Sequence, residues 1–179
     1  MEDIEIPTEH LHEHIQEKAE ESKEAWSLYL VLSTAFMAVL AAISGLMGGH
    51  HANEAVLEQI KASDNWSQYQ AKSIKSEINT AIDKLTVTLT KIPADKEAIS
   101  KLERYEKEKE NIKKQAEENE KSSEVHLSKH NILAKSVTLF QIAIAIAAIA
   151  ILTKRKALWI FSMILTITGI AFLIQGSFF

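Results

Sequence analysis

Three runs almost free of charge, at residues 25–47, 132–153 and 158–179, constrain this chain more than any other feature. About 20 apolar residues let a helix cross roughly 30 Å of hydrocarbon, where an open strand or loop would strand its backbone polar groups. Each run is therefore expected to be a transmembrane helix. Three core helices of a soluble protein are the competing reading, and apolar runs of this length fit it poorly. Five Gly and two Pro in 179 residues leave few helix breakers, so the expected class is an all-α integral membrane protein.

The segment before the first run, "MEDIEIPTEHLHEHIQEKAEESKEA", is acidic where a signal peptide would be basic, so the run is expected to stay as an anchor. With no Cys, thiolate metal sites and disulfides are excluded. A net charge of −4 offers nothing for nucleic acid. The short loop at 154–157 carries Lys154, Arg155 and Lys156, and short basic loops stay in the cytoplasm. That rule places the N-terminus with the loop and residues 48–131 across the membrane, in the periplasm of a Gram-negative cell. Lys129 and Lys135, flanking the second run, pull the other way.

Residues 48–131 read as two helices joined by a turn near 91–95, where Pro93 disfavours helix at Ile92. On the first arm Leu57, Ile60, Asp64, Ser67, Ala71, Ile74, Ile78, Ala81, Leu85, Thr88 and Ile92 recur at alternating steps of three and four. On the second, Leu102, Tyr105, Lys109, Ile112, Ala116, Asn119, Ser123, His126, His130 and Leu133 do the same. Two such seams predict an antiparallel coiled-coil stalk, each arm projecting about 60 Å. A close turn then sets Asp64 opposite about Ser123, Ser67 opposite Asn119 or Glu120, and Leu57 opposite His130. Asp64, Ser67, Asn119, His126 and His130 would form a polar layer at the stalk base, setting register or holding water or an ion.

On this wheel Trp66, Tyr69 and Ser73 lie off the seam, on a face continued by Ala55, Ala62 and Thr80. An aromatic face left over by the arm pair predicts contact with another copy of the chain. In the first run Ala38, Ala42 and Gly45 belong to small-xxx-small pairs that suit close helix approach. Ser33, Thr34, Ser44 and Gln141 are polar groups inside the apolar runs, and a pore in an oligomer or helix–helix hydrogen bonds would both use them. His10 and His14, one turn apart on an expected amphipathic helix within residues 1–24, are the weak candidates for a metal. Interfacial polar residues are the plainer account of them. No nucleophile–base pair, P-loop or dinucleotide fingerprint occurs, so neither an enzyme nor a cofactor is expected.

The tract Trp66, Tyr69, Gln70, Ala71, Lys72, Ser73, Ile74 and Lys75, set after a first span and before a charged helical stretch and two spans, resembles a bacterial family of three-span membrane proteins of unknown function. That family is marked by a W-x-x-Y-Q-A-K-S-I-K tract. The resemblance implies the layout and no activity. The expected function is a non-catalytic homo-oligomer of the bacterial inner membrane, structural or scaffolding in role, in contact with membrane lipid. An oligomeric pore is the alternative.

Overall fold

The computed structural model describes residues 25–91 and 96–178, and these are entirely helical apart from tight connections. Helix α1 is Ala25–Thr90, α2 is Lys96–Thr153 and α3 is Lys156–Phe178. All three are long and apolar enough to cross a membrane. The N-terminal amphipathic helix with His10 and His14, and most of the turn at 91–95, lie outside the described residues.

The 66 residues of α1 run through Gly45, Gly48 and Gly49 without a break. Each Gly costs a helix about 1 kcal/mol relative to Ala, and the Ala- and Leu-rich flanks outweigh that. The helix ends where Lys91 turns into the left-handed region (φ 55) and its N–H reaches the Val87 carbonyl at 2.9 Å. This is the single-bond αL termination, made by a lysine where glycine is usual. A Schellman motif closes α2. Lys154 has φ 51, its N–H points at the Ile151 carbonyl (3.4 Å), and the Arg155 N–H reaches the Ala150 carbonyl (3.1 Å). The basic connection is therefore a two-residue turn, with Lys156 already opening α3.

The chain divides into two compact units, Met1–Ala52 with Leu127–Phe179 and Asn53–His126. In the first, each helix buries one stripe at helical spacing. Ser27, Leu30, Thr34, Met37, Ala41, Ser44 and Gly48 do so on α1, and Leu133, Ser136, Phe140, Ala143, Ala147 and Ala150 on α2. On α3 the buried residues are Ser162, Thr166, Gly169 and Gly176. Steps of three and four keep such positions on one side of a helix, so three narrow stripes close on one another.

In the second unit α1 and α2 run antiparallel. Ser123 Oγ donates to the Ala55 carbonyl (2.8 Å), Trp66 Nε1 to Glu120 (2.8 Å) and Ser76 Oγ to Glu106 (2.9 Å), while Lys72 pairs with Glu108. Between these polar rungs lie Ala55, Ala62 and Ala116, all buried.

This pairing corrects the face expected of the first arm. The ten positions from Leu57 to Thr88 assigned to its seam are all exposed, whereas those of the second arm are buried or half-buried from Leu102 to Leu133. Ala55, not Asp64, meets Ser123, and the Gly48 carbonyl, not Leu57, meets His130 Nδ1 at 2.8 Å. The cause is size. Ala55 and Ala62 let the backbones come close enough for a serine to reach a main-chain carbonyl, and the β-branched Ile60, Ile74 and Ile78 would hold them apart. Periodicity shows which face is apolar, and not what that face meets.

Candidate functional site

The first unit is tied together by small hydroxyls and two glycines. Ser136 Oγ donates to the Gly169 carbonyl at 2.8 Å and lies 3.2 Å from Ser44 Oγ. Ser44 Oγ itself donates to the Leu40 carbonyl at 2.8 Å, so each hydroxyl spends its proton on a main-chain carbonyl and their contact brings three helices together. Both serines are wholly buried. Beside them the Phe140 ring packs against Gly169, where an added Cβ would stand 2.8 Å from its Cε1. One heptad along, Leu133 fills the space over Gly176, where a Cβ would stand 2.7 Å from its Cγ. These contacts went unnoticed in the sequence. Their signal was there, because Gly169 and Gly176 share the seven-residue spacing of Leu133 and Phe140.

The polar groups expected to line a pore have different surroundings. Thr34 is buried and bonds back to the Val31 carbonyl at 2.9 Å. Ser33 donates to the Leu30 carbonyl (2.8 Å) and accepts from Trp159 Nε1 (3.2 Å). With Ser44, they are spent inside the bundle of a single chain. Gln141 differs, being half-buried with no side-chain hydrogen bond among the described residues. Of the small residues in the first run, Ala38 packs against this bundle's core, and Ala42 and Gly45 are exposed. A Cβ at Gly45 would meet nothing within 4 Å.

An open groove of about 700 Å³ runs along α2 and α3, lined by Asn131, Ala134, Lys135, Thr138, Leu139 and Phe172. Its apolar walls and single cation suit lipid.

In the second unit Trp66 and Tyr69 are not left over. Their rings meet edge to face with centroids 5.7 Å apart, Trp66 donates to Glu120, and Lys109 sits 5.8 Å from the centre of the Tyr69 ring. Ser73 is half-buried beside them. The aromatic face thus meets α2 of its own chain, which corrects its expected freedom for another copy. The polar layer is not assembled either. Asn119 and His126 are half-buried on α2, whereas Asp64 and Ser67 are exposed on α1, and Ser67 bonds back to Ser63. His130, also half-buried, sits in the first unit. Among the described residues no three His, Asp or Glu side chains gather as a metal site.

Charge is most organised around two carboxylates. Hydrogen bonds from Lys109 and then Ser76 hold Glu106 below the usual carboxylate range, and one from Lys72 does the same for Glu108. A carboxyl depressed by folding stabilises the folded state above its unfolded pKa, and that contribution is lost as pH falls through the folded value. Both groups are exposed, so water screens these pairs and each contributes little.

Among the exposed residues of α1 one stripe is aliphatic. Ile60, Ile74, Ile78 and Leu85 are 53%, 58%, 53% and 61% exposed, while the interior of the pair is alanine, serine and charge.

Over residues 26–179 the chain matches DUF4337, a domain of unknown function, and it belongs to that family. No curated protein and no solved structure matches it.

Proposed function

We propose that this family member is a non-catalytic, homo-oligomeric protein of the bacterial inner membrane, with a structural or scaffolding role and a helical-hairpin stalk. The observation that carries the reading is the second unit's arrangement, with small residues and polar links between its helices and an exposed aliphatic stripe along α1. Apolar patches this long seldom lack a partner, and a unit that joins its two helices through small residues and polar links leaves its hydrophobic contribution to another chain. Gln141 adds to this, since a bare amide in hydrocarbon is costly and a neighbouring copy would relieve it. The basic turn at Lys154, Arg155 and Lys156 supports a cytoplasmic placement of that connection, with the stalk in the periplasm. Lipid is the other partner, along the walls of the α2–α3 groove.

An oligomeric pore is the second reading, and Gln141 favours it. Thr34 and Ser44 argue against it, because hydroxyls buried within one chain's bundle cannot also line an axis between chains. Planar-bilayer recording separates the two. The scaffold reading predicts no conductance across the tested voltages and ions. Steady unitary conductance that changes on replacing Gln141→Leu would establish the pore instead.

A further inference from the structure

We infer that the exposed aliphatic stripe of α1 in the second unit, from Ile60 through Ala71, Ile74, Ile78 and Ala81 to Leu85, is a seam that receives α1 of a second copy, parallel and in register. The inference rests on the self-assembly proposed above and names its surface.

The stripe alternates steps of three and four without a slip from Leu57 to Thr88, and every position is exposed. A seven-residue apolar repeat sustained over four turns or more matches another helix and fits neither a lipid surface nor a flat protein face. No described segment of the same chain is available to cover it. The face of α1 that meets α2 is the opposite one, carrying Ala62, Trp66 and Ser76. Helix α3 contributes nothing to this unit. Residues 1–24 precede the first apolar run, which on the proposed topology leaves them on the other side of the membrane. A second copy is the remaining occupant.

Its direction follows from the membrane. Copies anchored in one bilayer are related by an axis along the membrane normal, so their α1 helices run parallel. In that arrangement Leu57, Asp64, Ala71, Ile78 and Leu85 take one core position of the heptad, and Ile60, Ser67, Ile74, Ala81 and Thr88 the other. From Ala71 to Thr88 the core carries no charge. The flanking pairs Gln70–Lys75, Glu77–Ile82 and Lys84–Leu89 set no like charges against each other, and Ile82 (53% exposed) and Leu89 (80% exposed) widen the apolar band. Asp64 is the single charged core position, and one polar residue in such a seam specifies register at some cost in stability.

The chain has no cysteine, so single substitutions report cleanly. In membranes carrying the full-length protein, Ile74→Cys and Ile78→Cys should form disulfide-linked dimers on mild oxidation on the order of tenfold faster than Thr86→Cys, which lies off the stripe on the same helix. Ile74→Glu should abolish the species captured by a lysine-reactive crosslinker. Ile74 is 58% exposed, so this change leaves the chain's own fold intact. Equal rates at Ile74 and Thr86 would overturn the inference. So would the absence of stripe dimers while the lysine-reactive crosslinker still captures oligomers of the unmodified protein; self-assembly would then stand and use another surface. Capture by neither route would overturn the inference and the self-assembly reading together.

Discussion

Gly169→Ala should destabilise the first unit by about 1–2 kcal/mol, although the same change in an open helix gains up to about 1 kcal/mol. The sign reverses because the new methyl would stand 2.8 Å from Phe140 Cε1 and within 3.2 Å of two more ring atoms. A rigid aromatic ring cannot yield as the end of a flexible chain does. Overpacking a close-packed core costs about 1–3 kcal/mol, and here it also strains the bond from Ser136 to the Gly169 carbonyl. Gly45→Ala is the control, since nothing lies within 4 Å of its added carbon, and it should be neutral or mildly stabilising. Phe140→Leu in the Gly169→Ala background should restore part of the loss. Thermal unfolding in one detergent, compared across the four proteins, checks the order. A Gly169→Ala protein as stable as Gly45→Ala would mean that α2 and α3 do not meet here.

Trp66→Ala should loosen the second unit by about 1–3 kcal/mol, less than the roughly 3–5 of a fully buried tryptophan because Trp66 is half-buried. It removes the bond to Glu120 and the edge contact with Tyr69. Trp66→Phe keeps the ring and should lose only about 1 kcal/mol with the hydrogen bond. Amide hydrogen exchange over residues 53–126 should rise for Trp66→Ala and stay unchanged in the first unit. Below the ordinary carboxylate value of 4.5 the same residues of the parent protein should open slightly more often, read as exchange relative to its intrinsic rate at each pH, as Glu106 and Glu108 take up protons and release Lys109, Ser76 and Lys72. Unchanged exchange in Trp66→Ala, with oligomers lost, would return this ring to a contact between copies.

The three long apolar helices were legible because a long run almost free of charge can be satisfied in few ways, and 25–47, 132–153 and 158–179, with Lys135 the one charge among them, carry that signal alone. The second arm's buried face was legible for a related reason. Ala116, Asn119 and Ser123 are small enough to lie against any neighbour. The first arm misled because it carries two plausible faces, one aliphatic through Ile60, Ile74 and Ile78 and one small through Ala55 and Ala62. Choosing the more hydrophobic face assumed a single partner. The structure gives the chain's own partner the small face, where directed bonds from Trp66, Lys72 and Ser76 find Glu120, Glu108 and Glu106. Those glutamates carry no mark of their own in the sequence, because they sit among many charged residues at helical spacing. The Phe140–Gly169 contact was hidden for another reason. A glycine in an apolar run signals close approach only once the residue that approaches is known.

The central claim is that one chain is incomplete, its aliphatic stripe and the Gln141 amide both waiting on a second copy. Mass measurement of the complex, released from the membrane in mild detergent with the detergent contribution subtracted, tests it most directly. The account predicts a protein mass that is a whole multiple, two or greater, of the 20.0 kDa chain. A single 20.0 kDa chain, in a preparation that retains its helical content, would contradict it.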